Sequence, residues 1–96
     1  MNRENTVNIF KAFCDPIRIE IIELLQLQGS ESSICACDLQ AKTNLSQSKL
    51  SYHMKILCDS SIVKCQFKGK WSHYTLNQKG FATAHKLIDE LEGKTI

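Results

Sequence analysis

The chain has few of the residues that interrupt regular structure. Its 96 residues include one proline and four glycines, and aromatic residues make up only 7%. This scarcity excludes a collagen-like or Pro/Gly-rich disordered chain. No apolar run approaches the roughly 20 residues that a membrane-spanning helix needs. The length is that of one ordinary domain, so we predict a single domain over residues 1–96.

The first residues also lack the apolar run and small-residue cleavage site of a secretory signal peptide. We therefore expect a cytoplasmic protein with no membrane partner. In that reducing compartment the five cysteines are expected to be free thiols rather than a disulfide framework. They are Cys14, Cys35, Cys37, Cys58 and Cys65.

Charge is unevenly distributed, although the net charge is only +2. Residues 42–70 contain six lysines and one acidic residue, Asp59, for a net charge of +5. The rest of the chain contains six basic and nine acidic residues, for a net charge of −3. Segregation of this kind predicts a face for a polyanion such as DNA. On charge alone, a solvated lysine face is the alternative.

Hydrophobic periodicity and capping residues predict five helices and one hairpin. Asp15-Pro16 begins the second helix and Gly29 ends it, while Cys35 and Ser46 are the predicted N-caps of the third and fourth helices. The predicted helices cover residues 4–14, 16–28, 36 to about 43, 47–58 and 78–92, and the predicted strands cover 61–67 and 71–76. The order α-α-α-α-β-β-α, with a tight turn between two short helices, predicts a mainly α (α+β) winged helix-turn-helix.

The fourth helix has an apolar and a polar face. Leu50, Met54 and Leu57 are spaced i, i+4 and i+7, which predicts a buried stripe. Recognition helices present their N-terminal end to base edges in the major groove. Glutamine can bind adenine there, whereas lysine mostly contacts phosphates. The predicted DNA-contacting residues are Gln47, Ser48, Lys49, Ser51, Tyr52, His53 and Lys55, with Lys68 and Lys70 at the hairpin tip.

Three residues with ring side chains, His53, Trp71 and Tyr74, lie on or near the predicted DNA-binding elements. His53 flanks the buried stripe, and three roles are open for it: a hydrogen-bonded core histidine, a phosphate contact, or part of a polar relay between two sites. Trp71 and Tyr74 are predicted to anchor the hairpin on the core rather than to stack on bases.

Cys35 and Cys37 stand one residue apart at the start of the third helix, and Asp38 follows them. With Cys35 as N-cap, Asp38 imitates a capping box beside the positive end of the helix dipole. Side chains at i and i+2 point about 200° apart on a regular helix. Two such thiols cannot share one ion inside an intact helix. At an N-cap this constraint is relaxed, and we expect fraying of the first turn to bring both sulfurs onto the same face. The dipole favours thiolate, Asp38 opposes it, and soft thiolates prefer arsenite, antimonite, cadmium or lead.

Three motifs carry a resemblance to a known family: CACDL at the third helix, SQSKLSYH on the fourth, and GKWSHYTL on the return strand. In order and spacing they closely resemble the ArsR/SmtB family of metal-responsive repressors, especially its arsenic-responsive members. The resemblance implies a homodimer paired through the first and last helices. It also implies binding to an imperfect palindrome in operator DNA, with release when a metalloid binds.

The chain departs from that family at two positions. Gln40 stands where many arsenite sensors carry a third cysteine, and Tyr52 stands where the residue before the histidine is often arginine. Trivalent arsenic in this family typically takes three sulfurs, so Cys14, from the same or the partner chain, is the candidate third ligand. Two-sulfur binding completed by water or a small thiol is the alternative. The expected inducer is As(III) or Sb(III), and no organic cofactor is expected.

Other functions match the sequence less well. A thiol-redox sensor is the runner-up, although a disulfide between residues i and i+2 is strained. A Cd-, Pb- or Zn-responsive repressor is a further alternative, and only His85 and Asp89 could contribute to a second metal site. No phosphate-binding loop or catalytic Cys–His pattern indicates an enzyme. The lysine distribution argues against a metal carrier without a DNA role.

Overall fold

The computed structural model describes residues 2–29 and 32–94 as five helices and three short strands. In chain order they are α1 (Arg3–Lys11), α2 (Pro16–Gln28), β1 (Ile34–Cys35), α3 (Ala36–Thr43), α4 (Gln47–Asp59), β2 (Val63–Lys68), β3 (Trp71–Leu76) and α5 (Gln78–Glu92). The predicted domain also includes residues 1, 30, 31, 95 and 96, which lie outside this description. None of the described helices is both long and apolar enough to cross a membrane.

The mainly α order with a β-hairpin is as predicted, and the structure adds one strand to it. β1 pairs antiparallel with β3, so the sheet order is β1-β3-β2. Ile34 lies opposite Tyr74 and is buried in the core, while Cys35 lies opposite His73. A strand of two residues is too short to leave a periodic pattern, because its position depends on a partner strand far along the chain.

Local capping explains most helix boundaries. Asp15 begins α2, and its Oδ1 accepts a hydrogen bond of 2.8 Å from the backbone N–H of Ile17. The Ser46 Oγ accepts one from the N–H of Lys49 at 3.2 Å and begins α4. Cys35 is the N-cap of α3 as predicted, but its side chain makes no capping hydrogen bond. α1 ends at Lys11 rather than at residue 14, since the chain turns before the proline that begins α2.

The core lies between the helices and the inner face of the sheet. Its largest fully buried side chains come from α2, α3, α4 and the turn before β2, and they are Ile21, Leu39, Leu57 and Ile62. Leu50 and Met54 are buried beside them, which confirms the predicted stripe on α4. The buried stripe fixes which side of α4 faces solvent.

A buried polar pair connects α2 to α4 within this core. The Arg18 Nη1 lies 3.0 Å from the His53 Nδ1, and both residues are buried. A guanidinium can only donate, so the His53 Nδ1 accepts this hydrogen bond. The Arg18 Nε donates to the carbonyl of Lys11 at 3.0 Å, which connects the end of α1 to the same pair.

Gly80, in the first turn of α5, marks a close approach of two backbone segments. A Cβ at this position would overlap the backbone carbonyl of Ser61, in the turn between α4 and β2. Only glycine therefore lets α5 pack at this distance. Overpacking of this kind typically costs about 1–3 kcal/mol.

Candidate thiol site and nucleic-acid interface

The two predicted thiols meet where β1 ends and α3 begins. The Cys35 Sγ and the Cys37 Sγ are 2.7 Å apart, and Cys37 is exposed to solvent. Cys35 has an extended backbone, with φ −74° and ψ 156°, so it lies outside the helical geometry that would separate the two side chains. The N-cap geometry therefore brings the sulfurs together, and the expected fraying of α3 is not needed.

The electrostatics of the pair favour the neutral form of the Cys37 thiol. The hydrogen bond that Cys37 shares with Cys35 raises the pKa of Cys37, and desolvation, the Cys35 charge and the Asp38 charge act in the same direction. A second negative charge so close to the first is unfavourable. The helix dipole, which was expected to favour thiolate, is outweighed. A ligand that exchanges its own hydroxide for these thiols avoids the cost of charging them.

The third donor is the open question of the site. Among the described residues, Cys35, Cys37 and Asp38 are the group whose ligand atoms all lie within 4.8 Å of one another. Cys14 does not belong to that group; it is exposed after α1, and its Sγ donates to the carbonyl of Phe10 at 3.1 Å. Within one chain, the two expected thiols are thus brought together and the third is not.

Strand pairing connects the thiol pair to the hairpin. His73 lies opposite Cys35, and its Nδ1 is 3.3 Å from the Ser33 Oγ. The Lys68 Nζ, at the hairpin tip, donates to the same hydroxyl at 3.2 Å. Sequence reasoning missed Ser33 and His73, because their positions follow from the β1–β3 register and not from any local motif.

A cleft opens beside the thiol pair, between α3, α4 and β3. Its volume is about 290 Å³. Cys37 and Gln40 line it on the α3 side, Gln47 and Ser51 on the α4 side, and Trp71 on the β3 side. The candidate ligand site and the candidate DNA surface therefore share one opening.

The predicted DNA-contacting side chains of α4, with one exception, face solvent. Gln47, Ser48, Lys49, Ser51, Tyr52 and Lys55 are exposed. The Lys55 Nζ lies 3.1 Å from the Asp59 Oδ2, so its charge is already partly matched. Lys68 and Lys70 are exposed at the hairpin tip, on either side of Gly69, whose φ of 66° makes the turn.

The exception is His53, which is only 7% exposed and accepts the hydrogen bond from Arg18. Of its three interpretations, this geometry favours the hydrogen-bonded core histidine. Tyr74 packs against the core as expected, and burial, followed by nearby Cys65, raises its pKa. Trp71 does not anchor the hairpin as predicted: it is 55% exposed beside the cleft, with the Lys70 Nζ 6.0 Å from its ring centroid.

The remaining two cysteines differ from the pair. Burial, followed by the neighbouring Cys65 and Asp59, raises the pKa of Cys58 to about 11, so this thiol stays protonated at neutral pH. Cys65 is exposed on β2. Neither belongs to the three-residue group around Cys35.

The fold, with a recognition helix, a hairpin wing and a thiol pair at the preceding helix, defines a winged helix-turn-helix regulator. The solution structure of the homodimeric winged helix-turn-helix DNA-binding domain Mb0332 from Mycobacterium bovis, a possible ArsR-family regulator, has the same fold. Its TM-score is 0.70 at 16% identity, over 94% of this chain and 80% of that one. The model of the arsR family of bacterial regulatory proteins matches residues 15–64. The chain belongs to this family, which confirms the expectation of a regulator rather than an enzyme.

Curated relatives to which the chain is similar include two repressors of arsenical resistance operons. The arsenical resistance operon repressor of Bacillus subtilis is 44% identical over 73% of this chain, and the match spans 64% of the relative's own length. The arsenical resistance operon repressor of Escherichia coli is 37% identical over 88% of this chain and 69% of its own. The chain thus spans about two thirds of the length of each.

Proposed function

We propose that this protein is a metalloid-responsive repressor that binds operator DNA as a homodimer. It leaves the DNA when trivalent arsenic or antimony binds the thiols of Cys35 and Cys37. The observation that carries the proposal is the exposed pair of sulfurs, 2.7 Å apart, at the start of the helix that precedes α4. The names of the arsenical repressors to which the chain is similar support the same inducer class.

The protonation of Cys37 supports a metalloid over a metal cation. Arsenite is present at neutral pH as uncharged As(OH)₃. Each As–S bond that forms replaces an As–O bond, and the thiol proton leaves with the hydroxide as water. A divalent cation must instead displace the thiol protons into solution. The raised pKa of Cys37 therefore opposes cadmium, lead and zinc more than it opposes arsenite.

Two observations support alternative inducers, a divalent cation and an oxidant. Asp38 lies within 4.8 Å of the thiols and offers the oxygen donor that a Cd-, Pb- or Zn-responsive site can use. The close approach of the two sulfurs also favours a thiol-redox sensor, although the spacing of the residues strains a disulfide. Both alternatives use the same cysteines and the same DNA-binding surface, so the inducer distinguishes them.

The path from ligand to DNA is short. Residues 44–46 alone separate α3 from α4, and Asn44 turns the chain in the left-handed region with φ 56°. Cys37 and Gln40 on α3 also share a cleft with Gln47 and Ser51 on α4. A group bound at the thiols therefore lies at the edge of the predicted DNA-contacting surface, without any rearrangement of α3.

The proposed dimer pairs α1 and α5, which contact each other within one chain. Val7 on α1 and Ile88 and Leu91 on α5 are large apolar side chains that are exposed in the single chain. Burial of these side chains against a second copy would stabilise a symmetric pair. Two recognition helices in such a pair would face two half-sites of a palindrome.

The function can be tested with a duplex selected from a random pool by binding to the protein. Fluorescence anisotropy follows the complex in a phosphine reductant, because thiol reductants would bind arsenite themselves. We expect low-micromolar arsenite to release the DNA under these conditions. Release by diamide or peroxide alone would support the redox alternative, and release by cadmium alone would support the cation alternative.

The same assay examines the third ligand. The Cys14→Ser variant should bind arsenite more weakly if Cys14, from either chain, supplies the third sulfur. Cys65→Ser is the matched control, because Cys65 is an exposed cysteine outside the pair. An unchanged arsenite affinity in Cys14→Ser would refute the assignment of Cys14 and leave a two-sulfur site.

A further inference from the structure

Arg18 lies on α2, away from the predicted DNA-contacting surface, yet it is hydrogen-bonded to the helix that carries this surface. Its side chain is only 7% exposed, and a buried guanidinium needs partners because its desolvation is costly. Two of its nitrogens have them. The Nε donates to the carbonyl of Lys11 and the Nη1 donates to the His53 Nδ1, each at 3.0 Å. These two bonds fix the rotation of the planar group between the end of α1 and α4.

His53 is the α4 end of this connection, and it is as buried as Arg18. Because its Nδ1 accepts the hydrogen bond, the neutral ring carries its proton on Nε2. A half-turn of the ring would place a carbon opposite the guanidinium and leave a buried donor without its acceptor. The orientation of the His53 ring is therefore determined by Arg18.

The ring of Tyr52 packs against the ring of His53. Their centroids are 5.0 Å apart and their planes meet at 72°, which is an edge-to-face arrangement. Adjacent residues on a helix point in different directions, so this contact depends on the direction in which the His53 ring is held. Tyr52 is 63% exposed and is one of the predicted DNA-contacting residues of α4. A path of contacts thus runs from the end of α1 to the DNA-facing side of α4.

We propose that Arg18 is a positioning residue for DNA recognition, which acts through His53 to hold the Tyr52 ring in place for DNA. The inference rests on the proposed DNA-binding function and adds to it a residue outside the contacting surface. A side chain that must be ordered on binding lowers the affinity, whereas one that is already ordered avoids that cost. Arg18 itself is buried among α1, α2 and α4 and touches no DNA in this assignment.

The role requires arginine rather than any cation. A lysine at this position carries its charge on one nitrogen at the end of a flexible stem. It cannot reproduce the two nitrogens with which the guanidinium bridges the Lys11 carbonyl and the His53 Nδ1. Arg18→Lys therefore keeps the charge and removes the bridge. Arg3→Lys, at an exposed arginine of α1, is the matched control.

The first measurement compares the affinity for the selected duplex with the affinity for random DNA by fluorescence anisotropy. Arg18→Lys should weaken binding to the selected duplex by at least about fivefold, within the range of one recognition contact, and leave binding to random DNA within about twofold. Arg3→Lys should change neither. In a Tyr52→Ala background, adding Arg18→Lys should cost less than about twofold, because the ring that Arg18 positions is already gone.

Nuclear magnetic resonance gives a readout that a general loss of stability would not produce. The chain has two tyrosines, and the second, Tyr74, packs against the core. With isotope-labelled tyrosine and no DNA, Arg18→Lys should shift the ring signals of Tyr52 and leave those of Tyr74 in place. With labelled histidine, the unaltered protein should show His53 as the neutral tautomer with its proton on Nε2.

The outcomes separate the positioning role from the proposed function. If the unaltered protein prefers no duplex over random DNA, the proposed function fails and the positioning role fails with it. If Arg18→Lys binds the selected duplex normally, or loses the same affinity with and without the Tyr52 ring, the positioning role is overturned and the repressor proposal stands. A proton on the His53 Nδ1 of the unaltered protein would also overturn it, even if Arg18→Lys did not fold.

Discussion

The thiol site and the polar face of α4 are adjacent, yet their residues are held in different ways. At the thiol site two sulfurs converge to 2.7 Å, because the extended backbone of Cys35 is held by the pairing of β1 with β3. On α4 the exposed side chains stand apart, and an ion pair joins Lys55 to Asp59. A convergent site fails when one member is removed, whereas a distributed surface loses affinity in steps.

The largest effect on DNA release is expected when one of the two thiols is removed. Cys35→Ser or Cys37→Ser should abolish DNA release by arsenite, raising the required concentration at least about 100-fold, because one sulfur cannot hold the arsenic. DNA affinity without arsenite should stay within about twofold, since neither thiol is on α4. Anisotropy titrations measure both quantities. A variant that lost DNA binding as well would contradict the separation of the two regions.

The next largest effect is expected in the pH dependence of ligand affinity. Because the hydrogen bond that it shares with Cys35 raises the pKa of Cys37, this thiol is protonated at neutral pH and a cation must displace its proton. Cadmium affinity should rise with pH by about tenfold per pH unit for each proton displaced. Arsenite affinity should stay flat over the same range, as its exchange releases only water. Isothermal titration between pH 6 and 8 compares the two, and a steep rise for arsenite would contradict this account.

On α4 the largest single effect is expected at a base contact. Gln47→Ala should weaken binding to the selected duplex by about 1–3 kcal/mol, the range of one good bidentate base contact. Binding to random DNA and arsenite affinity should remain unchanged. Gln26→Ala, at an exposed glutamine of α2, is the matched control. Equal losses on selected and random DNA would mean that Gln47 contacts phosphate rather than a base.

The smallest effect is expected at the wing tip. Lys70→Gln should reduce the slope of log affinity against log salt concentration by about 0.9, the value of one phosphate contact. Lys86→Gln, at an exposed lysine of α5, should leave the slope unchanged. Sequence preference should stay the same in both variants, because phosphate contacts position the protein without selecting bases. A changed sequence preference in Lys70→Gln would assign Lys70 to base recognition instead.

The two regions also differ in how far the sequence predicted them. The face of α4 follows from local periodicity and from the cap at Ser46, so Leu50 and Met54 were correctly predicted as buried. The meeting of Cys35 with Cys37 depends on the extended backbone of Cys35, which β1 holds against β3. The residues of the CACDL motif alone give no indication that β1 pairs with β3.

Tertiary contacts also determine whether the rings of His53 and Trp71 are buried or exposed. Nothing near His53 in the sequence indicates that Arg18, 35 residues earlier, donates to its Nδ1. Trp71 was expected in the core because large aromatic residues are usually buried there. It stays exposed because the uncovered edge of β3 meets the cleft and not another strand. Local rules predicted the helices, and strand pairing determined the site.

The most direct test of the account is arsenic X-ray absorption on the arsenite-bound protein and on its Cys35→Ser and Cys37→Ser variants. The method counts the sulfur neighbours of arsenic. We predict two or three sulfur neighbours in the unaltered protein and the loss of a sulfur neighbour, or of binding altogether, in either variant. Arsenic with an all-oxygen shell, or with the same sulfur count in all three proteins, would contradict the assignment of Cys35 and Cys37.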